Sequence, residues 1–576
     1  MTYPKRLVFL LAIPLAVASI TLTAQQPTAE RFDSQNDQGD NGDHGRRHRP
    51  RFDPFEATIP EMQGALESGR TTSRELVRFY LERIRAYEGT INPYVALNPH
   101  AMQEAAQADH ERRGGHVRGP LHGIPIALKD NMHADGMRTT GGALAFERFR
   151  APYEATLVRN LRRQGAIILG KTVLTELANW VTSGMVNNYS AVGGYGINPY
   201  DARLDPRDVA PFNDGRGVMN TGGSSSGIAT TANLAAANVG TETSGSILSP
   251  SNQTMLAGIK PTTGLISRWG IIPIAAEQDT AGPMGRHVAD AAVMLGAMTG
   301  FDPRDPATAI CPVVRNYRRY LRADGLAGAR IGVPAMAFYN TLNTDQRAVV
   351  DEAIDTLVAQ GATVEFVEIP TAVSGELQAW GVCASLAQGK GMDDNCSVVL
   401  KYGFKRDFNA YLRTLGRRAP VRTLADLIAF NTANEARGAI KYGQQRLDIS
   451  EEMDLLGDAA RLAADRAKDL DINKTRGIDA AIDDNNLDAL LFGGSSGAGI
   501  AARPGYPSVI VPSGFVPNVP PSSQPPFPTG FEPEPQPYGV MFTGKACTEG
   551  RLIELAYAYE QASNKRVPPA SAPPLR

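Results

Sequence analysis

Between Thr221 and Ile247 the chain carries two glycine–serine turns. They are Thr221-Gly222-Gly223-Ser224-Ser225-Ser226-Gly227 and Gly240-Thr241-Glu242-Thr243-Ser244-Gly245-Ser246-Ile247, with IATTANLAAANV (228–239) between them. The intervening stretch is mostly small, so it can pack closely as a helix and bring the two sets of serines together. Glycines admit close backbone approach and unusual φ/ψ, and successive free N–H groups in such a turn can hold an oxyanion. Elements of alternating type surround this segment. Thr72 and Glu75 form a capping box ahead of Leu76, Tyr80, Ile84 and Tyr87, which predicts a helix over 73–87. Ile124 to Leu128 reads as an apolar strand ending on Lys129. A helix over 155–164 and a strand from Ala166 to Leu169 follow. Helical patterns resume at 344–359, 422–447 and 450–468, late strands fall at Leu487–Phe492 and Ser508–Pro512, and a last helix runs from Glu549 to Gln561. Alternation of this kind argues an α/β architecture.

Composition narrows the function. The chain has 576 residues, 42% hydrophobic and 20% charged, as a globular protein does. Lys+Arg is 58 against 60 Asp+Glu, so there is no basic footprint and nucleic acid is not expected as a partner. Lys5 and Arg6 precede an apolar run from Leu7 to Leu22, the pattern of a secretory signal peptide cleaved after Ala18 or Ala24. The run is short for a bilayer span, which needs about 20 residues, and no other segment reads as a span. Export is therefore expected, with residues 1–24 removed, 25–52 a disordered linker and 53–570 one catalytic domain. The proline-rich stretch 512–539 is expected to be an extended surface loop. None of Cys311, Cys383, Cys396 and Cys547 forms a C-x-x-C pair. Cys383 and Cys396 could close a short loop in an oxidising compartment, but four small buried thiols is the preferred reading.

Three motif matches mislead. Gly165-Ala166-Ile167-Ile168-Leu169-Gly170-Lys171-Thr172 fits the phosphate-loop pattern, but a helix precedes it and its four intervening residues form a hydrophobic strand, which cannot curl around a phosphate. Gly223–Gly227 and Gly493–Gly497 both fit G-x-S-x-G, which needs a later histidine. All eight histidines lie at or before His287, so no histidine base follows Ser495, and His287 is the sole candidate after Ser225. No metal-ligand cluster is evident, so no metal is expected.

A serine nucleophile without histidine needs another base. A lysine serves if burial lowers its proton affinity, and Lys129 at the end of an apolar strand is so placed. These features together resemble the amidase signature family. The resemblance is carried by LHGIPIALKDN (121–131), Gly170-Lys171-Thr172 with Glu176 and Ala178-Asn179, GGSSSG, GTETSGSI, Gly258-Ile259-Lys260-Pro261-Thr262, Gln278-Asp279-Thr280-Ala281-Gly282-Pro283-Met284, and Ala502-Arg503-Pro504-Gly505-Tyr506-Pro507 with the closing helix. It spans roughly 55–570 and is most similar to the bacterial peptide-amidase-like branch. The resemblance implies one large α/β domain with a central mixed β-sheet covered by helices on both faces. It implies Ser246 as nucleophile, Ser224 as a bridging serine in a cis peptide, Lys129 as base, and the N–H groups of Thr243, Ser244, Gly245 and Ser246 as oxyanion hole. It implies no metal or organic cofactor, and a small-molecule or peptide amide as substrate. The chain departs from the family in its 22-residue spacing from Ser224 to Ser246, two residues short of the usual, and in Ser244, where many members have Gly or Asp. The substrate pocket is expected to draw on 380–450 and the proline-rich loop. Alternatives are a glutamine-hydrolysing component of a transfer-RNA amidotransferase, an ester or carbamate hydrolase, and a catalytically dead scaffold.

Overall fold

The computed structural model describes residues 52–575 except Ser224 and Ser226. The expected signal peptide, 1–24, and all but the last residue of the expected linker, 25–52, lie outside the described residues. The framework is a mixed sheet of eleven strands. In chain order they are β1 (Tyr94–Leu97), β2 (Pro125–Lys129), β3 (Ile167–Thr172), β4 (Ala237–Glu242), β5 (Ala257–Lys260), β6 (Thr280–Gly285), β7 (Arg330–Pro334), β8 (Thr363–Val367), β9 (Ala489–Gly493), β10 (Ser508–Val516) and β11 (Gln536–Thr543). Their spatial order is β1-β3-β2-β4-β6-β5-β10-β11-β9-β7-β8. β2 runs parallel to both β3 and β4, whereas β4, β6, β5, β10 and β11 pair antiparallel in turn. Every residue of β2, β3 and β4 is buried, which is why they read as short continuous runs rather than alternating patterns. Helices flank the sheet. The helix Val288–Met298 is buried along almost its whole length, and Ser73–Ile91 starts on the Thr72/Glu75 capping box. Among the described residues no helix is long and apolar enough to cross a membrane.

Four expectations change. Residues 228–239 are not one helix: a single turn, Ile228–Thr231, gives way to β4. Asn233 takes a left-handed conformation (φ 56°) that ends the turn, and the buried Arg83 guanidinium donates to the carbonyls of Ala232 and Asn233 at 2.9 Å each. The helix expected over 422–447 breaks into Leu424–Ala433 and Gln445–Glu451, with left-handed Gly438 and Gly443 between them. The proline-rich loop is shorter than expected, because its two ends are strands. β10 and β11 pair from Ser508–Thr543 out to Val516–Gln536. The prolines are tolerated because β5 reaches only residues 508–510 of β10 and β9 only 540–543 of β11, so Pro512 and Pro537 lie where one strand edge is open. The cysteines are not four thiols. They form Cys311–Cys547 and Cys383–Cys396, with Cα separations of 5.6 and 5.2 Å.

The phosphate-loop look-alike is β3 itself, and its lysine is structural. Lys171 Nζ donates to Asp130 Oδ1 at 2.9 Å and Thr139 Oγ1 at 3.1 Å, with both charged side chains fully enclosed. Asp130 also accepts from Thr140 N–H at 3.1 Å. Removing one member of such a pair strands the other's charge. Lys171→Met should therefore cost about 3–5 kcal/mol in urea unfolding at neutral pH. Adding Asp130→Asn should recover much of that loss. A Lys171→Met cost under about 1 kcal/mol, the level of an exposed ion pair, would show that the pair does not hold the sheet.

Candidate active site

Lys129 closes β2, an inner strand third from one edge of the sheet, and is fully buried. Its Nζ donates to Thr241 Oγ1 at 2.8 Å and to the Thr241 carbonyl at 3.3 Å. Asn131 Nδ2 donates to the same hydroxyl at 3.0 Å. Burial pulls the Lys129 pKa down from 10.5 to about 7, and the negative fields of Asp279 and Glu242 offset part of that pull. Burial also lowers the pKa of Lys171 on β3, opposed by the carboxylate of Asp130 beside it, whereas Lys129 meets the hydroxyl and carbonyl of Thr241.

The two serine turns converge on this lysine. Ser225 Oγ donates to the Thr241 carbonyl at 2.9 Å and accepts from Thr241 N–H at 3.1 Å, which docks the first turn onto β4. Gly222 and Gly223 pack against the segment after the second turn. A Cβ on Gly222 would lie 2.3 Å from the Ser249 carbonyl oxygen, and one on Gly223 would lie 3.4 Å from Ser246 Cα. The approach therefore requires glycine. Ser224, expected as the bridging serine, lies outside the described residues, as does its expected cis peptide.

The second turn is held by a buried carboxylate. Glu242 Oε2 accepts from the N–H groups of Ile247 at 2.7 Å and Leu248 at 3.0 Å, and Ser249 N–H closes on the Gly245 carbonyl at 2.8 Å. Gly245 sits at φ 87°, a left-handed bend that a Cβ would strain. The N–H groups of Thr243, Ser244, Gly245 and Ser246, the four expected oxyanion donors, have no backbone acceptor among the described residues. Ser246 is half-buried and Ser244 exposed. Thr243 is pinned through its side chain, which donates to Asp279 Oδ1 at 2.5 Å. Asp279 Oδ2 also accepts from Ile274 and Ala275 N–H, and burial raises its pKa to about 6.

A cavity of about 270 Å³ ends on Thr241, Thr243 and Asn131. Its walls are Tyr153 stacked on Trp269 (ring centroids 5.2 Å apart), Tyr411, Ile272 and Ala178. Ala178 is the middle of three consecutive non-glycine residues in left-handed conformation, Leu177, Ala178 and Asn179 (φ 46°, 56° and 71°). Of the region 380–450 only Asp407, Ala410, Tyr411 and Thr414 reach this cavity, while the segment 268–280 supplies nearly half of its lining. The sequence motifs holding Asn131, Thr241 and Asp279 are recognisable, but they give those three residues no role of their own. The signal that could have found them is adjacency: each lies within two residues of a residue expected to act or, for Asp279, inside QDTAGPM.

The histidines take no part here. His133 is buried, bonds the Tyr411 hydroxyl at 2.8 Å and is held neutral, its pKa pulled to about 3 by burial and by Lys171. Ser495, in the second G-x-S-x-G match, bonds the Ser249 hydroxyl at 2.8 Å and so buttresses the segment after the second serine turn.

Comparison with known proteins agrees with this geometry. The amidase family model matches residues 75–553. A protein named probable amidase of Arabidopsis thaliana is 35% identical over 528 residues, covering 90% of this chain and 92% of its own. The structure of native peptide amidase from Stenotrophomonas maltophilia superposes with a TM-score of 0.76 at 37% identity, covering 89% of this chain and 98% of that one. A glutamyl-tRNA(Gln) amidotransferase component of Halorhodospira halophila matches less of the chain, 37% identical over 315 residues, 55% of this chain and 61% of its own. Matched by the family model over most of its length, and by a relative and a solved structure that it covers almost end to end, the chain belongs to the amidase signature family and is an amide-hydrolysing enzyme.

Proposed function

We propose that Ser246 attacks the carbonyl of a carboxylic or peptide C-terminal amide, with Ser224 relaying its proton to Lys129. One observation carries this reading. The chain neighbours of Ser224 touch both ends of the relay: Gly223 packs on the Ser246 backbone, and Ser225 bonds the Thr241 that also receives Lys129 Nζ. Neutral Lys129 takes the proton that leaves Ser246 Oγ through Ser224. The carbonyl carbon gains Oγ, and its oxygen becomes an oxyanion facing the N–H groups of residues 243–246. Collapse expels ammonia or an amine protonated by the same relay, and water then cleaves the acyl-enzyme. No step calls for a metal or organic cofactor.

The cavity favours an acyl group that is apolar or aromatic. Its charged lining residues already have partners: Arg268 pairs with Asp305 at 2.6 Å and Asp407 with Arg406 at 2.7 Å. A free glutamine, carrying both an ammonium and a carboxylate, would find its charges unanswered there, which weighs against the amidotransferase reading. Export fits the two disulfides, since such bonds persist in oxidising compartments, together with the signal-like segment Leu7–Leu22.

Ammonia release from peptide amides, arylamides and short aliphatic amides tests the reading. Ser246→Ala should lower kcat/KM by ~10³-fold or more with unchanged thermal unfolding, and comparable residual turnover would reject Ser246 as nucleophile. The pH profile tests the base. Protonated Lys129 cannot accept a proton, so kcat/KM should rise with pH through about 7 and level above it. Asp279, titrating near 6, should steepen the fall below that value. A flat profile from pH 5.5 to 8 would remove Lys129 from the role.

A further inference from the structure

The two disulfides sit in different surroundings. Cys383 and Cys396 are both buried, packed among Val398, Tyr402 and Met453. Cys311 is buried too, but its partner Cys547 is exposed, in the turn ahead of the helix Glu549–Ser563. Thiol–disulfide exchange needs a thiolate to reach a sulfur, so one bond is open to it and the other is shielded.

The reachable bond ends a segment that extends to the active-site cavity. Residues 302–311 form a compact turn, in which Thr308 Oγ1 donates to the Asp305 carbonyl at 2.8 Å and accepts from Asp302 N–H at 2.9 Å. Three successive contacts join this turn to residues 267–269. Asp302 Oδ2 accepts from Ser267 Oγ at 2.8 Å. Asp305 Oδ2 accepts from Arg268 N–H and Nε at 2.8 Å each, and its Oδ1 from Arg268 Nη2 at 2.6 Å. The Arg304 guanidinium lies 5.3 Å from the centroid of Trp269, the ring that stacks on Tyr153. Arg268, Trp269, Arg304 and Asp305 all line the cavity.

At its other end the turn is fastened through Cys311 to Cys547, whose N–H donates to Thr262 Oγ1 at 2.9 Å. Thr262 N–H in turn donates to Glu549 Oε1 at 2.7 Å, just beyond β5. Past Cys311 the chain is exposed at Pro312, Val313, Arg315 and Asn316, so the firmest hold on that end of the turn is the crosslink.

We propose that Cys311–Cys547 is a redox-sensitive latch on the aromatic wall of the cavity. Closed, it holds the turn that positions Trp269 and so favours aromatic acyl groups. Opened by a dithiol, it lets that wall shift, and the preference falls. The inference rests on amide hydrolysis with the acyl group in this cavity, and adds a control over which amides are taken. The exchange balances. A thiolate of the dithiol attacks Cys547 Sγ, and the Cys311 thiolate leaves and takes a proton. The dithiol's second sulfur gives up its proton and displaces Cys547 Sγ, which leaves as a thiolate and takes a proton. Two electrons and two protons pass to the cystine, and the dithiol becomes a cyclic disulfide. Cys383–Cys396, being buried, stays closed.

Dithiothreitol on the native protein, followed by alkylation and peptide mass mapping, should label Cys311 and Cys547 and leave Cys383 and Cys396 unlabelled. The ratio of kcat/KM for benzamide to that for acetamide should then fall about three- to tenfold, mostly through a higher KM for benzamide. That is the change expected from losing one aromatic pair contact. Cys311→Ser combined with Cys547→Ser should show the lowered ratio without dithiol and no further response to it. If that variant fails to fold, Asp305→Asn, which keeps the crosslink and weakens the hold on Arg268, should lower the ratio in its place. Labelling of Cys311 and Cys547 only after unfolding, labelling with an unchanged ratio, or equal losses on both amides would overturn the latch. Calorimetry of benzamide on the Ser246→Ala protein separates binding from chemistry. Binding weakened about three- to tenfold by dithiothreitol, without ammonia release by the wild type, would uphold the latch and reject hydrolysis. Ammonia release by the wild type, with equal benzamide binding before and after dithiothreitol, would reject the latch and leave hydrolysis standing.

Discussion

Desolvation of one amine is the condition on which the site depends. In water a lysine is protonated at neutral pH and cannot serve as a base. At the end of β2, with strands on both sides, Lys129 loses the water that stabilises its charge, and its pKa falls to about 7. The sheet therefore does chemical work as well as structural work: without parallel neighbours on both edges, the strand end would be wet and the amine charged. The next residue shows how narrow the arrangement is. Asp130 points to Lys171 rather than Lys129, so the carboxylate next in sequence to Lys129 is engaged on the adjacent strand.

Thr241 ties this amine to the serine turns. Its hydroxyl receives Lys129 and Asn131, while its backbone N–H and carbonyl both bond Ser225. Two residues on, Thr243 is fixed to Asp279. One strand end thus sets the position of the Lys129 amine, the docking of the first turn and the start of the second. Upstream of that strand the stretch between the two turns holds the single helical turn Ile228–Thr231. Arg83 holds the connection that follows by its carbonyls.

Much of this is legible in the sequence where local chemistry decides. Thr72 and Glu75 announce a helix start, and the run ending on Lys129 announces a buried strand. Glycines before Ser224 and Ser246 announce close approach. What is not legible depends on distant partners. The strand Gln536–Thr543 is hidden by nearby prolines, and only the lengths of β5 and β9 explain why Pro512 and Pro537 are harmless. Cys311 and Cys547 are 236 residues apart, so no spacing rule joins them. The aromatic wall draws Tyr153, Trp269 and Tyr411 from three separate segments, each of which alone reads as ordinary core.

The wall opposite the oxyanion turn is strained, and its supports explain why the strain persists. Three successive non-glycine residues in left-handed conformation are costly, and such conformations survive only where the surroundings over-determine them. Leu177 N–H is held by the Gly141 carbonyl at 2.8 Å, Trp180 N–H by the Leu177 carbonyl, and the Asn179 carbonyl by the Arg446 guanidinium. Glu176, just before the run, is buried, takes Ala191 N–H at 2.9 Å, and has its pKa raised to about 8 by burial, so it sits there neutral. Gly142 leaves room for it, since a Cβ there would come within 3.3 Å of Glu176 Cα. One wall is thus clamped by these contacts, and Asp279 pins the other through Thr243. On the mechanism proposed above, selectivity would come from the fit of the acyl group to this slot, with the turn N–H groups meeting the charge that develops.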